Sequence, residues 1–161
     1  MLSRMAGGDS LETALREAQR LGIAEAQPAN DFDGWDAAVK ATVLANVIMN
    51  ARTTPSAVDR QSLGAARMVQ AQLELGDNET LKQVVEIVRT GDGVHTTVRL
   101  AALPPSDIFA HLTGMETAIT LRTDTMQDLT MVEGEGGPEQ TAFGVMADLI
   151  SIARTVRGRN P

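Results

Sequence analysis

The 161-residue sequence predicts an α+β fold, with a mostly antiparallel sheet and helices packed on one face of it. Three observations carry that reading. Apolar residues recur at helical spacing through much of the first 75 positions; β-branched runs separated by turn residues follow between 84 and 132; one further helical pattern closes the chain. No strand followed by GxGxxG occurs, so the pattern is not that of a doubly wound dinucleotide-binding fold.

The elements follow in order. Residues 9–21 (DSLETALREAQRL) form an amphipathic helix, with Asp9 or Ser10 as its cap and Leu11, Leu15 and Ala18 on one side; Gly22 ends it. Residues 23–32 are polar and contain Pro28 and Asn30, the composition of a loop. A second helix runs from Trp35 to Met49, with Asp33 suited to its N-cap. Residues 57–75 read as a less regular helix interrupted by Gly64. Strands are expected at 84–88, 94–103, 117–123 and 128–132, with Gly91-Asp92-Gly93 as a hairpin turn. A short helix is expected at 106–112 after two prolines, and a last helix at 138–156, where Pro138 suits the first turn.

Composition narrows the function. The formal net charge is −7 and only two lysines are present, which argues against nucleic acid or an anionic membrane as partner. Cysteine is absent, so disulfides and thiolate metal sites are excluded; the two histidines, His95 and His111, lie far apart, and no metal site is expected. No apolar run approaches the roughly 18 residues of a membrane span and no signal-peptide pattern opens the chain, so a cytoplasmic protein is expected. Aromatic content is 2%, so the core is expected to be aliphatic, with the eight methionines as filler. Trp35 is expected to pack under the loop, and Arg89, Arg99 and Arg122 to project from their strands into solvent.

The chemistry-bearing segment is GIAEAQPANDFDGWDAAVKATVLANV (22–47). Asp36 and Lys40 are four apart on one helix and share a face, while Glu25 and Asp31 sit in the loop that feeds it. From spacing alone, two readings stand. The loop folds back and three carboxylates meet one ammonium, or Asp36 and Lys40 form an exposed ion pair near a helix N-terminus. A second segment, GEGGPEQTAFG (134–144), is glycine-rich and precedes a helix; by itself it is a tight strand-to-helix turn, and Glu135 and Glu139 oppose phosphate binding there.

The pattern GIAEAxPxxDxxGxDAAxK, on Gly22, Glu25, Pro28, Asp31, Gly34, Asp36, Ala37 and Lys40, resembles the homoserine dehydrogenase family. The preceding helix (10–22), the run 103–124 and the block 125–153 are similar to that family too, so the resemblance spans about Asp9 to Ile152. Gln27 stands where the family commonly has an acidic residue.

The resemblance implies NAD(P)-dependent interconversion of L-aspartate 4-semialdehyde and L-homoserine. Lys40 would exchange a proton with the carbonyl oxygen, and Asp36 would contact the substrate and orient Lys40. Glu25, Asp31 and Asp36 would line the amino-acid pocket and hold the substrate ammonium. Nearby carboxylates favour the charged form of such a lysine, which suits an acid for aldehyde reduction. Gly134, Gly136, Gly137 and Thr141 would border the cofactor side of the cleft.

The resemblance also divides the chain. Residues 1–137 would be a substrate-binding and dimerisation domain lacking its first part, pairing as a homodimer through the sheet. Residues 138–161 would be a helix that docks on a nucleotide-binding domain missing from this chain, which would hold most of the NAD(P). The last helix supports this expectation, because Ala142, Val145, Met146, Leu149, Ile152 and Ala153 line one stripe and Phe143 and Ile150 widen it. The alternative is a non-catalytic amino-acid-binding or dimerisation module of the same ancestry.

Overall fold

The structure is a computed structural model and describes residues 1–24, 33–61 and 64–158. The chain divides into two compact units, Met1–His111 and Leu112–Pro161.

The first unit opens with helices α1 (Leu2–Ala6) and α2 (Leu11–Arg20). Ser10 caps α2, its hydroxyl accepting the Thr13 N–H at 3.2 Å, and Gly22 at φ 71° carries the chain away from its end. The buried residues of α2 are Ala14 and Ala18. Helix α3 (Trp35–Met49) has the expected bounds but not the expected cap. Its N-cap is Gly34, in the left-handed region at φ 70°, which offers no capping side chain of its own; Asp33 lies one residue outside. Left-handed backbone at that position favours glycine.

Residues 57–61 depart from the expected helix. Pro55–Ala57 form one 3-10 turn, and Asp59–Arg60 form a short strand, β1, before helix α4 (Ala65–Leu73). Strands β2 (Thr80–Thr90) and β3 (Gly93–Leu103) pair antiparallel along their whole length, joined by the two-residue turn Gly91-Asp92. The sheet order is β1-β3-β2, with β1 parallel to β3. Ile108–His111 form a 3-10 turn where a short helix was expected.

Helix α3 lies against β2, β3 and the 3-10 turn at Pro55–Ala57. Its buried side is built of small residues: Ala37, Ala38, Ala41, Thr42 and Ala45. Ala37 and Ala38 pack with Val58 and Val98, and Val98, 1% exposed, is the largest fully buried side chain among the described residues. Side chains this small let the helix approach the sheet closely. The core is thus richer in alanine than the composition suggested, and many longer aliphatic side chains lie outside it, among them Val39, Val43, Val47 and Ile48 on α3.

The second unit contains strands β4 (Thr117–Leu121) and β5 (Leu129–Glu133), paired antiparallel, and helix α5 (Pro138–Arg157). A bond between the Thr120 and Thr130 hydroxyls (2.8 Å) and the Arg122–Asp128 ion pair (2.8 Å) tie the two strands. On α5, Phe143, Val145, Met146, Leu149, Ile150, Ile152 and Val156 are all exposed. Among the described residues no helix is long and apolar enough to cross a membrane.

Candidate functional site

The site is built at the first two turns of α3. Before it, α2 ends in a turn in which the N–H groups of Ile23 and Ala24 both donate to the Ala18 carbonyl (2.9 and 3.2 Å). Glu25 and Asp31 fall within residues 25–32, outside the described residues. The chain re-enters at Asp33 and Gly34, and the Gly34 carbonyl accepts the Ala38 N–H at 2.9 Å to start the helix.

Asp36 and Lys40 face outward, one turn apart. Their ion pair is short, Nζ to Oδ2 2.8 Å, and both side chains are open to water, Lys40 72% and Asp36 63% exposed. Asp36 in the first turn also interacts favourably with the positive end of the helix dipole. So of the four residues expected to converge, the described residues hold two, and those two are paired.

Asp36 also borders a cavity of about 270 Å³, together with Met1, Ala18, Ile23, Ala24, Ala37 and Gln83. That is below the roughly 300–1,000 Å³ of drug-sized pockets and is on the scale of a small metabolite. Its lining is mainly apolar, and Asp36 and Gln83 bring the polar side chains. Gln83 is a residue that the sequence reading passed over. The signal was present: Leu81, Gln83, Val85 and Ile87 alternate along β2 on the face that carries Val98 on β3, and an amide breaks an otherwise apolar row.

Arg60 was missed as well. From β1 its guanidinium reaches the entry to α3, donating to the Asp33 carbonyl (Nη1 to O 2.6 Å) and lying 3.7 Å from the centre of the Trp35 ring. Trp35 is therefore a stacking partner of an arginine, and the loop it was expected to pack under lies outside the described residues. Arg89 donates to the Met49 carbonyl, and Asn46 exchanges two bonds with the Thr53 backbone (3.1 and 3.0 Å), so the far end of α3 is tied down too.

The glycine turn belongs to the second unit. Gln140 Oε1 already accepts the Gly137 N–H at 2.6 Å, and the side chain of Glu139 lies close to Gly137. Thr141 lies in the first turn of α5. With that donor engaged and a carboxylate beside it, Gly137 offers little to a phosphate.

Comparison with known proteins gives one consistent answer. A homoserine dehydrogenase family model matches residues 1–150. The chain is 32% identical to a homoserine dehydrogenase of Sulfurisphaera tokodaii over 155 residues, covering 96% of this chain and 46% of the relative. It is 28% identical to a protein of Pseudomonas canavaninivorans named as an NAD(+)-dependent homoserine dehydrogenase, covering 94% of this chain and 44% of the relative. Among solved structures, the S. aureus homoserine dehydrogenase superposes with a TM-score of 0.78 at 25% identity, over 99% of this chain and 41% of that one. The Thiobacillus denitrificans homoserine dehydrogenase gives 0.77 at 26% identity, over 98% and 37%. The chain thus spans less than half the length of these relatives, and it belongs to the homoserine dehydrogenase family.

Proposed function

We propose that this chain is the substrate-binding and proton-transferring part of a homoserine dehydrogenase, acting in the NAD(P)-dependent interconversion of L-aspartate 4-semialdehyde and L-homoserine. The observation that supports it best is that Asp36, in a chain of this family, both borders a cavity and holds the Lys40 ammonium at 2.8 Å.

Reduction of an aldehyde needs a hydride at carbon and a proton at oxygen. The hydride belongs to a nicotinamide nucleotide, which a nucleotide-binding domain outside this sequence would hold. This chain supplies the amino-acid side. An ammonium carries a transferable proton at neutral pH, and Lys40 Nζ is the donor to the carbonyl oxygen. In the reverse direction it takes that proton back. Asp36 fixes where the ammonium points and contacts the substrate's polar end. Glu25 and Asp31 complete the pocket and hold the substrate ammonium.

Two surfaces belong to the same reading. The apolar stripe of α5 docks on the nucleotide-binding domain, with Gly134, Gly136, Gly137 and Thr141 on the cofactor side. The sheet pairs with a second copy to give a homodimer, working in the cytoplasm in the biosynthesis of threonine and methionine. Exposure of seven large apolar side chains along one helix supports the docking, since isolated soluble domains rarely leave such a patch open.

The test is reconstitution. The chain is supplied with the nucleotide-binding half of a relative, and aldehyde-dependent oxidation of NADPH or NADH is followed. Lys40→Ala is expected to lower kcat by about 10²–10⁴-fold, the usual worth of a positioned proton donor. Near-normal turnover in that variant would remove Lys40 from the mechanism.

A further inference from the structure

We propose that Arg60 is a positioning residue for the amino-acid site: clamped between the Asp33 carbonyl and the Trp35 ring, it fixes the opening turn of α3 and with it the Asp36–Lys40 pair. The role in the site rests on the function proposed above; the clamp itself rests on geometry alone.

Helix α3 needs such a device. A helix start leaves N–H groups without intrahelical partners, and a Ser, Thr, Asp or Asn side chain at the N-cap commonly satisfies one and defines where the helix begins. Here the N-cap is Gly34, which has no side chain to offer and is the residue with the most conformational freedom. The ion pair of the site begins only two residues later. Left to itself, this entry is the pliable point between the preceding loop and the reacting groups.

Arg60 brackets that point. Its two contacts fall on Asp33 and Trp35, the residues on either side of Gly34. The first is a charge-assisted bond at 2.6 Å, stronger than its neutral counterpart. The second is a stack at 3.7 Å that a planar guanidinium makes and that lysine, a point charge without the fork, does not reproduce together with the first.

The anchor behind Arg60 is firm. Arg60 pairs with Val98 across the parallel ladder, and the Gln61 N–H donates to the Val98 carbonyl at 2.9 Å. The Gln61 side chain in turn accepts the Leu100 N–H at 3.3 Å. Val98 is the same residue that packs under Ala37 and Ala38 of α3. The clamp and the helix seat are therefore referred to one strand, β3.

The experiment uses the whole 161-residue chain, in which Trp35 is the sole tryptophan and the Lys40 resonances need only be told from those of Lys82, which Lys82→Arg assigns. Three signals are read well below the melting temperature: Trp35 emission and its quenching by acrylamide, the Lys40 13Cε and 15Nζ resonances, and L-homoserine affinity by calorimetry. Arg60→Met is expected to make Trp35 more quenchable, to move the Lys40 resonances toward those of Asp36→Asn, and to weaken homoserine binding about tenfold. Trp35→Phe keeps a ring for the stack and should leave the Lys40 signals near wild type.

A folded Arg60→Met chain with unchanged Trp35 and Lys40 signals would overturn the proposal. Should Arg60→Met not fold, Arg60→Lys decides: wild-type Lys40 and Trp35 signals there are equally fatal, because lysine cannot hold both contacts. If the wild-type chain binds no homoserine, the proposed function fails while the Lys40 and Trp35 signals still judge the clamp.

Discussion

Replacing Gly34 by alanine tests how α3 is seated. Gly34 sits at φ 70° and ψ 20°, backbone that a residue with a Cβ enters at a cost of roughly 1–2 kcal/mol. Space is not the obstacle. A Cβ built there would meet Val98 Cγ1 at 3.5 Å and Gln83 Nε2 at 3.8 Å, ordinary contact distances. Alanine also narrows the unfolded ensemble, which offsets about 0.4–1 kcal/mol of the strain. The net expectation is a loss of about 1 kcal/mol, or a fall in Tm of about 2–4 °C for a chain of this size. Gly34→Asn should lose less, since asparagine enters left-handed backbone more readily. Urea unfolding followed by circular dichroism measures both. A loss above about 3 kcal/mol would mean that the added carbon collides and the helix entry is packed more tightly than described. A clear gain in stability for alanine would mean that the backbone there is not left-handed. Either result refutes the reasoning.

Other expectations follow from particular side chains. Asp92 accepts bonds from the Thr90 hydroxyl and His95 Nε2, in that order of effect, and these hold its pKa down to about 2. A carboxylate with a lowered folded pKa stabilises the hairpin above its unfolded value near 4 and loses that contribution as pH falls toward 2. Asp92→Asn should therefore melt slightly lower than wild type at pH 7, the difference closing by pH 2 in paired melting curves. The Thr96 hydroxyl is buried without a hydrogen-bond partner among the described residues, so Thr96→Val should raise stability by about 1 kcal/mol in urea titrations. The chain on its own should bind an apolar-sensitive dye through α5, and Phe143→Ser with Leu149→Ser should cut the fluorescence markedly. Unchanged fluorescence would place the exposed apolar surface elsewhere.

Legibility in the sequence followed the range of the interactions. Helices α3 and α5 and the β2–β3 hairpin announced themselves through local periodicity and turn chemistry, and all but β2 have bounds close to the expected ones; β2 runs Thr80–Thr90 where 84–88 was expected, because pairing with β3 extends it over polar residues. Strand β1 did not, because two residues become a strand only by pairing with Thr97 and Val98, nearly 40 positions away. Asp33 was a reasonable cap from composition, yet the chain begins the helix one residue later on a left-handed glycine held from outside. The Asp36–Lys40 pair was legible because its partners are four apart on a helix. The clamp on Trp35 was not, since the Arg60 contact with the Asp33 carbonyl spans 27 residues and nothing local marks it. Glu25 and Asp31, expected to complete the pocket, lie outside the described residues.

The alanines beneath α3 have a consequence for precision. A methyl group has no rotamers, so Ala37, Ala38, Ala41 and Ala45 set the gap between rod and strands with nothing to readjust. Swapping one of them for valine would wedge the rod outward as a unit and carry the Lys40 nitrogen along. Under the function proposed above, an error of an ångström at that nitrogen is worth about 10²-fold in rate. The position of the Lys40 ammonium is thus set by four side chains that have no chemistry of their own.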